Sequence, residues 1–155
     1  MPKRDLRKKR GIGVFTRPLY VFDEQLPSEL SDALRFARRR VKVAHVGKKG
    51  DGFEFLATKG TRDIDLLDLG GVFFTRDPDF KRAGRHPKRN TCIVVLEGHS
   101  YSVTNLLLLI SPMVKGIERN RWVYEWLLGR RFRLSRSTLV EIDPSGRPLQ
   151  SFHLN

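Results

Sequence analysis

Cysteine is nearly missing from this chain. Cys92 stands alone among 155 residues, which excludes an internal disulfide framework and a cysteine-based zinc site. Histidine is sparse as well. His45, His86, His99 and His153 are scattered, without the i, i+4 pairing that seats a metal on a helix face. The longest aliphatic stretch, Leu106 to Ile110, falls far short of the roughly 20 apolar residues of a membrane span. The basic start MPKRDLRKKR has no apolar segment behind it, so a cytoplasmic rather than a secreted protein is expected. Acids are outnumbered: 17 Asp and Glu against 30 Lys and Arg leave a formal charge of +13. A hydrophobic fraction of 39 % still excludes a wholly disordered polycation. The length suits one domain with a real core.

The positive charge is clustered, and clusters of this kind bind polyanions by counterion release. Residues 1–13 read as a basic N-terminal arm, followed by a single domain over 14–155. Arg35, Arg38, Arg39, Arg40 and Lys42 form a second group. Arg76, Lys81, Arg82, Arg85, Lys88 and Arg89 form a third, which is the expected nucleic-acid-binding surface. Arg130, Arg131, Arg133 and Arg136 form a fourth.

Between the clusters the pattern alternates between strand and helix. Leu19–Phe22 reads as a buried strand ending at Asp23-Glu24. Leu26, Leu30, Ala33, Leu34 and Ala37 recur at helical spacing, with Pro27 suited to a first turn. Val41 to Val46 alternates as a second strand. Gly47 to Gly60 reads as a loop, and Thr61 to Leu69 as a short helix stopped by Gly70-Gly71. Val72–Thr75 and Thr91–Leu96 are further strands. A helix is expected from about Ser102, kinked or broken at Pro112, with a second piece through Trp122 and Trp126. Strand, turn and strand follow over Thr138–Ile142, Asp143–Gly146 and Leu149–Phe152. The fold class is α/β: a three-layer α/β/α sandwich with a mostly parallel central sheet.

The acids carry the chemistry. Ligands of open parallel sheets bind outside the carboxyl ends of the strands. Asp23 and Glu24 follow the first strand, Asp77 and Asp79 follow the third, and Asp63 and Asp65 lie on the short helix before it. Converging carboxylates repel one another and raise their own pKa values. Mg²⁺ or Mn²⁺, which prefer oxygen ligands, relieve that repulsion. In a basic protein such a pocket is what metal-assisted phosphodiester cleavage requires. The Thr75 hydroxyl is placed to orient Asp77 or a water at the metal.

The segments VFDEQLPSELSDALR, GTRDIDLLDL and GVFFTRDPDF resemble those of compact PIN-like nuclease domains, which include toxin components of bacterial toxin–antitoxin pairs. The resemblance covers about residues 19 to 110 and rests chiefly on the Thr-x-Asp-x-Asp-Phe element at Thr75–Phe80. It implies metal-dependent hydrolysis of RNA. Asp23, Asp63 or Asp65, and Asp77 would hold Mg²⁺ or Mn²⁺, and Asp79 would be an accessory ligand or a helix cap. The catalytic set it implies is Asp23, Asp63, Thr75 and Asp77. RNA is the expected partner, with an acidic antitoxin and a second copy of the chain as further candidates and no membrane. The loop over Gly47–Gly60 is longer and more basic than the family's short link, and Ile64 stands where a further acid is common.

Other constellations were weaker. Gly98-His99-Ser100-Tyr101-Ser102 nearly matches a nucleophile elbow, with Asp143 and His153 following in order, but its final glycine is missing. Asp23-Glu24 and Asp77 imitate a phosphoryl-accepting receiver, without the expected lysine after a fifth strand. A non-catalytic RNA- or DNA-binding protein, whose acids only cap helices, is the alternative from another class.

Overall fold

The computed structural model describes residues 18–38, 41–46, 67, 70–98, 102–119 and 123–154. The strands are β1 (Leu19–Phe22), β2 (Lys42–His45), β3 (Gly71–Thr75), β4 (Thr91–Leu96), β5 (Arg131–Ser135), β6 (Thr138–Ile142) and β7 (Pro148–His153). The helices are α1 (Glu29–Ala37), α2 (Val103–Glu118) and the single turn α3 (Tyr124–Leu127). A 3₁₀ turn spans Pro78–Lys81. All seven strands form one sheet in the order β2-β1-β3-β4-β5-β6-β7. The first five run parallel, and β6 and β7 close the far edge antiparallel. The chain is therefore α/β with a mostly parallel sheet. No helix among the described residues is long and apolar enough to cross a membrane.

The central strands read as continuous apolar runs because both their faces are covered. Every residue of β3 and β4 is buried. Side chains alternate, so Tyr20, Phe22, Phe74, Cys92 and Val94 face one core while Val21, Phe73, Ile93 and Val95 face another. Gly71 permits the close pairing of β3 with β1. It adopts φ +93°, and a Cβ there would stand 2.7 Å from the Leu19 carbonyl oxygen.

Both longer helices pack on the first face, α1 through Leu30 and Leu34 and α2 through Leu106, Ile110, Met113 and Ile117. An ion pair of 2.8 Å between Arg38 and Glu118 joins their ends. The two connections, β1–α1–β2 and β4–α2–β5, step toward opposite edges of the sheet yet share a face. They therefore have opposite hands. The β3–β4 link crosses the other face through Phe80 and shares the hand of β1–α1–β2. Right-handed crossovers are the rule, and β4–α2–β5 has the hand opposite to the other two connections.

The second face is covered, among the described residues, by Leu67 and the 3₁₀ turn rather than by a long helix. The described residues thus contain one helical layer against the sheet. The expected loop over Gly47–Gly60 lies outside them, as does the expected helix over Thr61–Leu69 apart from Leu67, which is buried. So do the N-terminal arm and Trp122.

Two expectations need correction. Pro112 does not break α2, which runs unbroken from Val103 to Glu118. Proline deprives the carbonyl four residues back of its donor. Here that residue is Leu108, on the exposed face of the helix, while Ile110, Met113 and Val114 pack the turns on either side of the proline into the core. The second correction is β5, which was read only as a cluster of cations. In Arg131-Phe132-Arg133-Leu134 the arginines alternate with apolar residues at strand period. Trp126 packs edge-on to Phe152, with ring centroids 5.8 Å apart, and the Arg130 guanidinium lies 4.3 Å over it.

Candidate active site at the carboxyl ends of β1 and β3

The strand order reverses between β1 and β3. Chain connections diverge there and leave a crevice at the carboxyl ends of the strands. Asp23 directly follows β1, and its backbone N–H extends the ladder to the Phe74 carbonyl at 3.0 Å. Asp23 is 5 % exposed. One carboxylate oxygen, Oδ1, accepts from the Glu24 N–H at 2.8 Å. The other, Oδ2, accepts from the Thr75 hydroxyl at 2.6 Å.

Thr75 is the last residue of β3 and fully buried. Its hydroxyl oxygen also accepts from the Asp77 N–H at 3.1 Å. One side chain therefore fixes the Asp23 carboxylate and the backbone that carries Asp77. Asp77 Oδ1 accepts from the Asp79 N–H at 2.9 Å and caps the 3₁₀ turn, which opens on Pro78. Phe80 anchors this turn edge-on against Phe73, with centroids 5.6 Å apart. The Thr-x-Asp-x-Asp-Phe element is thus one unit: strand end, turn cap and buried anchor.

Burial pushes the Asp23 carboxyl above the usual carboxylate range, and the charges of Glu24 and Asp77 push the same way. The hydrogen bonds from Thr75 and Glu24 oppose the rise and do not cancel it. An ionised carboxylate offers about four lone-pair sites, so Asp23 and Asp77 keep acceptor capacity beyond these bonds. The donor set is all oxygen, which suits a hard divalent cation such as Mg²⁺ or Mn²⁺.

The structure brings Asp23, Thr75 and Asp77 together. Asp79 sits one step along the turn, and its carboxylate pairs with Arg82 at 3.3 Å; the cap is Asp77, not Asp79. Asp63 and Asp65 lie outside the described residues. Among the described residues, no group of three His, Cys, Asp or Glu side chains is arranged to hold a metal ion. His45 is buried, and its ring nitrogens stand 2.8 Å from the carbonyls of Val46 and Leu26, tying β2 to the turn that follows Asp23. Burial raises the Cys92 thiol far above its usual range. Asp143 shapes the β6–β7 turn through Ser145 and Arg147, whose hydrogen bonds hold its carboxyl low. Ser100 is outside the described residues.

The cationic cluster around the turn is only partly open. Lys81 pairs with Glu97 at 3.2 Å, and Arg76 donates to the Gly98 carbonyl at 3.0 Å. Arg85 is half-buried, whereas Lys88 and Arg89 are exposed. The fourth cluster departs most from expectation. Arg130 pairs with the buried Glu141 at 2.8 Å. Arg131 is fully buried, and its guanidinium donates to the carbonyls of Phe80 (3.0 Å), Arg82 (2.6 Å), Asp143 (2.8 Å) and Pro144 (3.3 Å). It is a hub joining β5, the turn behind Asp77 and the C-terminal hairpin. Gly146 makes the approach possible: its φ is +93°, and a Cβ would stand 2.9 Å from the Lys81 carbonyl oxygen. Sequence reasoning took Arg131 for surface charge; strand-period alternation was the signal that could have found it.

A cleft of about 650 Å³ lies at the ends of β4 and β5 under α2, with Arg76, Glu97, Asn105 and Arg136 in its lining. Of these, Glu97 and Asn105 carry no functional expectation from the sequence, whereas Arg136 belongs to the fourth cationic cluster. No family model, no curated protein and no solved structure matches the chain.

Proposed function

We propose that this protein is a metal-dependent ribonuclease of the PIN-like kind, a three-layer α/β/α nuclease working at the β1/β3 edge. The observation that supports the reading most is the Asp23–Thr75–Asp77 constellation at the switch point, with a carboxyl raised by burial and by neighbouring acids. Asp23 and Asp77 would hold Mg²⁺ or Mn²⁺, with Asp63 or Asp65 as the third acid by resemblance. The ion, when bound, supplies the Lewis acid and the positive charge that phosphodiester hydrolysis needs. Thr75 fixes the orientation of Asp23, so the carboxylate does not reorganise when a substrate arrives. Asp77 holds its turn and keeps a carboxylate oxygen for the site. The exposed Lys88 and Arg89 attract the RNA backbone through charge.

The test is cleavage of a labelled single-stranded RNA with Mn²⁺ or Mg²⁺. Asp23→Asn and Asp77→Asn should each abolish it, and EDTA should do the same to the native protein. Activity that survives both substitutions removes the mechanism. A second reading is a non-catalytic, basic RNA- or DNA-binding protein. It is favoured by the structural bonds that Asp23 and Asp77 already make to Glu24 and Asp79. That protein would bind RNA without cleaving it, and Mn²⁺ would not raise its melting temperature. The resemblance extends the proposal to an acidic antitoxin as partner, which would suppress cleavage when co-expressed.

A further inference from the structure

The cleft between α2 and the ends of β4 and β5 has the chemistry of a nucleotide pocket. Its volume of about 650 Å³ falls within the roughly 300–1,000 Å³ typical of small-molecule sites. Its lining divides in two. Leu106, Leu108 and Leu109 of α2 give an aliphatic wall, whereas Arg76 and Arg136 bring guanidinium groups and Asn105 an amide. Glu97 also lines it, and its carboxylate is paired with Lys81 at 3.2 Å, so the net local charge stays positive. Leu108 is 67 % exposed, so its side chain is open to a ligand in the cleft. An apolar wall beside paired cations fits a ligand that is flat and apolar at one end and anionic at the other.

Position identifies that ligand further. Arg76 lies in the chain between Thr75 and Asp77, and alternation turns its side chain to the α2 face, so the cleft opens at the same carboxyl end of the sheet as the carboxylates but on the other face. We propose that the cleft takes one unstacked nucleotide of the substrate strand, its base against Leu108 and Leu109 and its phosphate at Arg76 and Arg136. This rests on the nuclease reading and adds a substrate requirement to it. A base held in a duplex cannot enter such a pocket without unpairing, so the nucleotide next to the scissile bond must be free.

The test uses the full-length Asp23→Asn protein in EDTA, which removes both cleavage and metal. AMP, adenosine and inorganic phosphate are titrated separately by calorimetry. AMP should bind saturably, about tenfold or more tighter than either adenosine or phosphate. Arg136→Ala and Leu108→Glu, both at exposed positions, should each weaken AMP about tenfold while leaving the melting temperature unchanged. Equal affinity for phosphate and AMP would mean an anion site only and overturn the proposal. So would AMP binding that ignores both substitutions, or no AMP binding at all. The two readings fail separately. AMP binding without Mn²⁺-dependent cleavage by the native protein keeps the pocket and removes the nuclease, and cleavage without AMP binding does the reverse.

Discussion

Thr75→Val tests the central geometry with the smallest change of shape. Valine is isosteric with threonine and keeps the β-branched fit of the strand. It removes the 2.6 Å hydrogen bond to Asp23 and the acceptor for the Asp77 N–H at 3.1 Å. A hydrogen bond to a charged group contributes about 1.5–3 kcal/mol, and a lost neutral one about 1 kcal/mol. The total expected loss is about 2–4 kcal/mol at neutral pH. At this chain length each kcal/mol lowers the melting temperature by roughly 2–4 °C. The loss should depend on pH. Thr75 favours the ionised carboxylate, so removing it raises the Asp23 pKa further. The destabilisation is then largest above that raised pKa and narrows as acid protonates Asp23. Melting curves of native and variant protein from pH 4 to 8, without metal, measure it. A cycle with Asp23→Ala isolates the pair, and a coupling of about 1.5–3 kcal/mol is expected. A loss equal at both pH extremes, or a coupling near zero, would show that the hydroxyl does not hold the carboxylate.

Two other outcomes follow from the same structure. Because the Asp23 carboxyl is raised, its ionisation opposes folding: stability from this group is full below its unfolded value and is lost as pH rises through the folded one. Asp23→Asn should therefore melt at or above the native temperature at pH 7.5 in EDTA, and should lose the Mn²⁺-induced rise of roughly 5–10 °C expected at about a hundred times Kd. A clear fall in EDTA would show that the charge is not under strain. Arg131→Met removes donors from four carbonyls; a loss of about 2–4 kcal/mol is expected, read by urea unfolding, and a variant as stable as the native protein would deny the hub.

How far the sequence reached depended on whether charge and burial agreed. Leu19–Phe22 and Thr91–Leu96 were read at their observed bounds because they are runs of apolar and β-branched residues. The convergence of Asp23 and Asp77 was legible because acids directly after neighbouring parallel strands must share an edge. β5 was not legible, since the guanidinium of Arg131 carries a charge into the interior and satisfies it there with carbonyls distant in sequence. The break expected at Pro112 was not legible as absent either: core packing of Ile110, Met113 and Val114 on both sides of it carries the helix through the lost hydrogen bond. Local pattern also could not say that α1 and α2 share a face, because crossover hand is a property of the whole sheet.

Among the described residues no helix covers the reverse of β5, and one guanidinium occupies that side. That guanidinium couples two regions distant in the chain. The turn behind Asp77 and the hairpin of β6 and β7 hang from the same group, 51 residues after Phe80 in the chain. Fraying of the last strands would pull on the carbonyls of Phe80 and Arg82 and loosen the carboxylate edge from behind. The tail of this protein, which bears none of the acids at that edge, would thereby govern how long the edge stays assembled.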